Sequence, residues 1–157
     1  MGRKVLVFDE VDPTVPEAAE LIAALDRELG ARYPGFPIHG IDAANFRAAG
    51  GVFLVGRLGD VAVVCGALRP MEPGAVEVKR MYVRDTHRGR GFGRAMLAAL
   101  EEIALHHGYR TIRLETGGSQ PEALALYASS GYRPIPCYGD HATDPLSRCF
   151  EKRLAGV

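Results

Sequence analysis

The sequence has no tryptophan, no net charge and no long apolar run. Nineteen Lys and Arg balance 19 Asp and Glu, so bulk attraction to nucleic acid or to an anionic membrane is not expected. The longest apolar stretch, near residues 61–68, is far shorter than the roughly 20 residues that cross a bilayer. Residues 5–8 form only a short apolar run before Asp9, which does not resemble a signal peptide. We therefore expect a cytoplasmic protein that binds neither nucleic acid nor a membrane.

Cysteine is also scarce. Cys65, Cys137 and Cys149 are odd in number, widely spaced and contain no C-x-x-C pair. This pattern argues against a disulfide framework and a zinc site, and it favours a reducing compartment. His141 and Asp144 have side chains that bind metals, but no third ligand follows at a usual spacing. We expect no metal.

The length and composition indicate one globular domain. The 157 residues are 47% apolar and 24% charged, which excludes a disordered chain, a collagen-like fibre and a coiled coil. Such a chain is long enough to bury a core without staples. We expect a single domain over residues 1–157.

The apolar periodicity predicts a mixed α/β chain without regular βαβ alternation. Predicted strands cover 5–8, 52–58, 61–68, 76–83, 111–115 and 146–154, and predicted helices cover 16–29, 42–49, 91–107 and 119–130. Gly30, Gly108 and Gly131 are placed to end three of the helices. Ser119 and Glu122 have capping-box spacing at the start of the last helix.

The loop before the third helix is rich in glycine and in positive charge. It contains Gly89, Gly91 and Gly93 and opens an amphipathic helix. Glycines let backbone N–H groups approach an anion closely, and a helix N-terminus attracts phosphate. Residues 79–94 include one acid, Asp85, and the cations Lys79, Arg80, Arg84, Arg88, Arg90 and Arg94. These features predict a polyanionic ligand; the alternative is a solvated loop with helix-capping glycines.

Two motifs in order resemble one enzyme superfamily. The run RGRGFG, residues 88–93, matches Q/R-x-x-G-x-G/A, although it fits neither a dinucleotide fingerprint nor a P-loop. The run QPEALALYASSGY, residues 120–132, is similar to N-x-x-A-x-x-L-Y-x-x-x-G-F. Together they resemble the GNAT superfamily of acyl-coenzyme A-dependent N-acyltransferases. Residues 114–117 (LETG) and 144–147 (DPLS) are similar to small bacterial members.

The resemblance implies an α/β (α+β) fold: a mixed, mostly antiparallel sheet of six to seven strands, with splayed central strands and about four helices. It implies transfer of an acetyl group from acetyl-coenzyme A to a primary amine of a small-molecule or amino-acid-like acceptor, within a ternary complex. Homodimers are common for this fold, and the sequence leaves monomer and dimer open.

The resemblance also assigns residues. Met81 to Val83 are expected to hold the pantetheine arm, with the Met81 N–H polarising the thioester carbonyl. The loop is expected to wrap the pyrophosphate, and Gln120 stands where the family usually has Asn. The implied cofactor-binding residues are Met81, Tyr82, Val83, Arg88, Gly89, Arg90, Gly91, Phe92, Gly93, Arg94, Gln120 and Tyr127.

Two residues are implied to be catalytic. An amine with a pKa of about 10.4 is mostly protonated at neutral pH and needs a base. Glu77 matches the family's base position and shares a strand face with Lys79 and Met81. Tyr127 matches the tyrosine near the cofactor sulfur, where it is expected to protonate the departing thiolate. In the alternative, Glu77 only pairs with Lys79 or Arg80, and Tyr127 is ordinary core.

Two other classes of function compete with this interpretation. One is a sensor that binds acyl-coenzyme A without turnover. The presence of Glu77 and Tyr127 argues against it. The other is a nucleic-acid module that uses residues 79–94, against which the zero net charge argues. For the enzyme, the loop from Ile135 to Asp144, with Tyr33 and His39, is expected to border the acceptor pocket.

Overall fold

The computed structural model describes residues 5–35, 42–118 and 120–154. The strands are β1 (Leu6–Glu10), β2 (Val52–Leu58), β3 (Val61–Pro70), β4 (Ala75–Val83), β5 (Thr111–Gly117), β6 (Arg133–Ile135) and β7 (Ser147–Arg153). The helices are α1 (Pro16–Arg32), α2 (Ala43–Ala48), α3 (Phe92–His106) and α4 (Pro121–Ser129). Two single 3₁₀ turns lie at Asp85–His87 and Gly139–His141.

The seven strands of the described residues belong to one sheet, in the order β1-β2-β3-β4-β5-β7-β6. Every neighbouring pair is antiparallel except β4 and β5, which are parallel. The predicted mixed, mostly antiparallel sheet is confirmed. The sequence did not separate β6 from the loops around it, because three residues are too few to show an alternating pattern.

The two faces of the sheet carry different helices. Along β2, Val52 and Leu54 pack with Met96 and Leu100 of α3, whereas Phe53 and Val55 pack with Leu21 of α1. Neighbouring residues of a strand point to opposite faces, so α1 and α3 lie on opposite sides. Residues of α4 join the cluster on the α3 side.

Two of the three predicted glycine ends are confirmed. Gly108 and Gly131 follow α3 and α4 with φ of 88° and 89°, the left-handed conformation that ends many helices. Gly30 does not end α1, which continues to Arg32 and is capped by the Tyr33 N–H bonding to the Leu29 carbonyl at 2.9 Å. The cost of one helical glycine, about 1 kcal/mol, does not stop this helix. Ser119, and with it the proposed capping box, lies outside the described residues.

The prediction that the cysteines form no disulfide is wrong. Cys137 and Cys149 are disulfide-bonded, with Cα atoms 5.1 Å apart and a sequence separation of 12. The antiparallel register sets Ile135 of β6 opposite Cys149 of β7, so the chain leaving β6 starts beside Cys149. This neighbourhood depends on strand pairing, which cysteine spacing does not reveal. Cys65 is free and buried.

None of the described helices is both long enough and apolar enough to cross a membrane.

Candidate active site

The sheet opens between β4 and β5. The parallel pairing runs from Ala75↔Thr111 to Val78↔Leu114 and then stops, although β4 continues to Val83 and β5 to Gly117. The two strands therefore diverge over their last residues. This gap is the predicted splay, and its position in the middle of the sheet makes it a ready cleft.

A β-bulge in β4 lies at the gap. The register with β3 moves from Ala67↔Lys79 to Cys65↔Tyr82, which inserts one residue into β4. Arg80 has φ of 57° and is the non-glycine residue with positive φ among those described. Its guanidinium pairs with Asp26 of α1. Such backbone outliers concentrate at functional sites, and this one precedes Met81. The extra residue also interrupts the alternation of β4, so Met81 and Val83 pack on the α3 side with Val76 and Val78, whereas Glu77, between those two valines, lies on the opposite face. The expectation that Glu77 and Met81 share a strand face is therefore wrong.

The glycine loop joins the end of β4 to the start of α3. Gly89 and Gly91 have φ of 78° and 80°, and Gly91 is the N-cap residue of α3. A Cβ added at either position would meet nothing within 4 Å, so the loop faces open space. The first N–H groups of α3 lack partners within the helix. The predicted order of strand, glycine loop and helix is confirmed, and its use as a cradle for an anion stays a prediction.

Most of the positive charge near the loop is already paired. Helix α1 supplies acids to three cations: Asp26 to Arg80, Glu20 to Arg84 at 3.0 Å, and Glu28 to Arg88 at 2.8 Å. Lys79 lies 3.6 Å from Glu77. Counted over residues 79–94 alone, these cations form a local excess of positive charge. The acids that pair with the three arginines, however, come from the distant helix α1. The free positive charge is therefore much smaller than predicted.

Arg88 and Arg94 have structural contacts of their own. The Arg88 Nε donates to the Val83 carbonyl at 3.0 Å, and its guanidinium lies 5.5 Å from the Tyr82 ring centroid. Arg94 donates to the hydroxyls of Ser129, the last residue of α4, and of Ser130, its C-cap residue. The bonds of Arg88 and Arg94 attach the region of the loop to β4 and to the end of α4. The hydroxyl partners of Arg94 carry no charge, so they do not neutralise its positive charge.

Tyr127 is packed on the α3 side of the sheet and is only 6% exposed. Its ring centroid lies 6.0 Å from that of Tyr132 and 6.1 Å from that of Phe150. Burial raises the pKa of the Tyr127 phenol to about 12, and the charge of Glu115 adds to the rise. The phenol is therefore protonated throughout the neutral range and can donate a hydrogen bond there.

The Tyr127 hydroxyl makes no hydrogen bond to any described residue, yet those residues contain no fully buried polar side-chain atom without a partner. The hydroxyl therefore keeps some accessible surface. Gln120 occupies the N-cap position of α4, where its side chain makes no capping hydrogen bond.

Glu77 is a buried carboxylate, 5% exposed. The Tyr138 hydroxyl donates to its Oε2 at 2.9 Å, and the Lys79 Nζ lies 3.6 Å from its Oε1. The structure thus brings Glu77 and Lys79 together, whereas Arg80 turns to α1. Burial of a polar group without such partners is costly.

A second carboxylate, Glu115, lies across the gap on β5. Its Oε2 is 3.2 Å from the Nδ1 of His141. Burial raises the pKa of Glu115; His141 and Lys79 oppose that rise, and Asp144 and Glu77 add to it. Sequence analysis missed Glu115. The alternating pattern of residues 111–115 could have placed Glu115 on the same strand face as Arg113. Only the parallel register shows that Arg113 is the partner of Glu77, which brings Glu115 to the same part of the sheet.

The loop after β6 and the end of α1 border this side of the gap. Tyr138 and His141 of the loop Ile135–Asp144 reach Glu77 and Glu115, and the expectation that this loop borders an acceptor pocket stays a prediction. A Cβ on Gly117 would overlap the Tyr33 ring, which places the end of α1 against the end of β5. His39 lies outside the described residues. Among described residues no group of three or more His, Cys, Asp or Glu could hold a metal.

The sheet order, the splay and the glycine loop are together typical of one family of acyltransferases. The model of the acetyltransferase (GNAT) family matches residues 19–132. The chain belongs to this family and is an acetyltransferase, and the resemblance of its two motifs is confirmed.

Among its relatives is a protein of Azospirillum brasilense named IAA acetyltransferase. It is 38% identical over 143 residues, which cover 90% of this chain and 94% of the relative. A solved structure from Klebsiella pneumoniae, described as an acyl-CoA N-acyltransferase, is 35% identical with a TM-score of 0.80 and covers 96% of this chain and 98% of its own.

A more distant structure has the same fold. The GNAT family acetyltransferase of Elizabethkingia anophelis, solved with acetyl-CoA bound, is 16% identical with a TM-score of 0.71. The match covers 95% of this chain and 98% of that one.

Proposed function

We propose that this protein transfers an acetyl group from acetyl-coenzyme A to a primary amine of a small-molecule or amino-acid-like acceptor, directly within a ternary complex. The observation that carries the proposal is the gap between β4 and β5. On one side it adjoins an open phosphate cradle, and on the other it is bordered by the carboxylates of Glu77 and Glu115. A donor and an acceptor can meet there.

The fit of the cofactor rests on the loop. Gly89 and Gly91 leave an unfilled space at a helix N-terminus, which suits a pyrophosphate. We assign the pyrophosphate to residues 88–94, with Arg90 and Arg94 as the charges not neutralised by an acid. The pantetheine arm is assigned to Met81, Tyr82 and Val83, beyond the bulge. Phe92, Gln120 and Tyr127 complete the proposed binding residues.

Three groups of this chain share the proposed chemistry, for which acetyl-coenzyme A supplies an activated thioester carbonyl. Glu77 takes a proton from the acceptor nitrogen, directly or through a water molecule. The Met81 N–H donates a hydrogen bond to the oxygen on which negative charge develops. Tyr127 donates a hydrogen bond to the sulfur. The phenol is protonated at neutral pH, so it can give its proton to the thiolate that departs as the carbon–nitrogen bond forms and the carbon–sulfur bond breaks.

The experiment that tests this function is an acceptor screen that measures free thiol released from acetyl-coenzyme A. We expect release to require a primary amine and the product to be an N-acetyl compound by mass spectrometry. The screen includes IAA, the compound in the relative's name. Thiol release with IAA and with none of the amines would contradict the proposed acceptor class.

A glycine substitution tests the cradle. We expect Gly91→Val to weaken coenzyme A binding by roughly 10- to 100-fold, because the valine side chain would occupy the space before the α3 N-terminus. That factor corresponds to losing a hydrogen bond to a charged group, about 1.5–3 kcal/mol. Isothermal titration calorimetry on the folded variant measures it.

Gly108→Val is the matched control. Gly108 also has positive φ and an open Cβ position, but it lies at the opposite end of α3. Its variant suffers the same backbone strain and should keep the affinity for coenzyme A. Equal losses in both variants would show that strain, and not the cradle, weakens binding. The expectations of a cytoplasmic location and of no bound metal stay predictions, and monomer and dimer both stay open.

A further inference from the structure

The loop between β6 and β7, residues 136–146, is attached to three different strands. We call it the strap. Its Cys137 is disulfide-bonded to β7, its Tyr138 donates a hydrogen bond to Glu77 of β4, and its His141 contacts Glu115 of β5. The strap therefore bridges the two diverging strands at the gap.

We propose that Tyr138 is a positioning residue, which holds the Glu77 carboxylate ionised and in one orientation for proton transfer. This inference rests on the proposed role of Glu77 as the base. The strap, in turn, fixes Tyr138. Nothing in the two sequence motifs points to this loop, so the role is a property of the tertiary structure.

The surroundings of Glu77 make Tyr138 its main support. The Tyr138 hydroxyl makes the one hydrogen bond that Glu77 receives from a side chain of the described residues. Lys79 is beyond hydrogen-bond distance at 3.6 Å. Removing a donor from a buried carboxylate favours its neutral form.

Other charges near Glu77 do not replace this bond. Arg69 of β3 and Arg113 of β5 are its register partners, but the Arg113 guanidinium already pairs with Glu72 and Glu151. Glu115 is a second negative charge nearby, and it lies against His141. The hydrogen bond from Tyr138 is therefore the specific contact of the Glu77 carboxylate.

The direction of the hydrogen bond is fixed. Burial, with the charge and hydrogen bond of Glu77, raises the pKa of the Tyr138 phenol well above its usual value. Tyr138 is therefore protonated and can only donate to Glu77. The bond occupies Oε2 and leaves Oε1, on the side of Lys79, for the acceptor amine or its water.

Tyr138 is held from both sides along the chain. The disulfide is formed by the residue before it, and the His141 ring lies 5.8 Å away in an edge arrangement. Because these contacts do not involve the Tyr138 hydroxyl, Tyr138→Phe should remove the hydrogen bond and leave the strap in place.

The test is the pH dependence of kcat and kcat/KM for the wild type, Tyr138→Phe, Glu77→Gln and the double variant. We expect the acidic limb of Tyr138→Phe to move to higher pH by about one unit, a tenfold loss of activity on that limb. At alkaline pH its activity should return to nearly the wild-type value. In the Glu77→Gln background the same change should add no further loss, because Tyr138 acts through Glu77. All variants use one acceptor, so the titration of that acceptor cancels in the ratios.

Tyr109→Phe, which removes a phenol at the far end of α3, is the control and should leave the limb unmoved. A loss in Tyr138→Phe that is uniform across pH, or that adds to the loss of Glu77→Gln, would overturn the positioning role. Wild-type activity in Glu77→Gln would instead overturn the proposed base, which is a separate result.

A second variant tests the strap if Tyr138→Phe does not fold. Replacing both Cys137 and Cys149 by Ser removes the covalent anchor, so a smaller fraction of molecules keeps Tyr138 on Glu77. We expect the acidic limb to move in the same direction by a smaller amount. If the acidic limb does not move, the proposal that the strap holds Tyr138 on Glu77 is wrong.

Discussion

Glu77→Gln is expected to lower kcat/KM by about 100-fold or more at neutral pH, as loss of a general base typically does. Glutamine keeps the size of the side chain and still accepts the hydrogen bond of Tyr138, which now donates to Glu77 at 2.9 Å. The fold and the affinity for acetyl-coenzyme A should therefore be unchanged. Raising the pH toward the pKa of an amine, about 10.4, should recover much of the loss, because more of the acceptor is then already neutral.

The measurement is a pair of pH–rate profiles, with calorimetry for cofactor binding. Glu115→Gln is the informative companion, because Glu115 is the other carboxylate at the gap and has the raised pKa. We expect it to lose less activity than Glu77→Gln. A large loss in Glu115→Gln with superimposable profiles for the wild type and Glu77→Gln would move the base to β5.

Tyr127→Phe is expected to lower kcat by roughly 10- to 10⁴-fold, the range that covers loss of a group acting on a leaving atom. The Tyr127 hydroxyl has no hydrogen-bond partner among the described residues, so its removal takes nothing from the resting structure. The ring, packed between Tyr132 and Phe150, remains. Cofactor affinity and thermal stability should therefore change little.

Tyr132→Phe is the matched control for Tyr127→Phe. The two rings are neighbours, but the Tyr132 hydroxyl donates to Glu101 at 2.9 Å. Its removal should cost stability, about 1.5–3 kcal/mol for a hydrogen bond to a charged group, and should leave kcat unchanged. Tyr127→Phe should show the opposite pattern in melting curves and initial rates. If Tyr127→Phe keeps the wild-type kcat, Tyr127 is a core residue only.

The sequence determined the parts of this protein that depend on neighbouring residues. The short apolar runs at residues 52–58 and 61–68 predicted β2 and most of β3, because the length and composition of such a run are local properties. The run at 88–93 predicted a loop opening a helix, because glycine conformation and helix start are local properties. The two motifs predicted the family, which the match over residues 19–132 confirms.

Tertiary structure alone decided which distant groups meet. The acids of α1 pair with Arg80, Arg84 and Arg88 across more than 50 residues of sequence, which removes most of the charge excess that the interval 79–94 suggested. The disulfide of Cys137 and Cys149 depends on the register of β6 with β7.

The contacts of the site have the same origin. Tyr138 reaches Glu77 from 61 residues away, and the splay places Glu115 beyond the last residue that pairs with β4. Periodicity fixes the face on which a side chain lies, but the register between strands and the path of a loop fix what it touches. Strand register and loop path are set by packing of the whole chain. No local interaction selects between two strand registers when both place apolar side chains on the buried face.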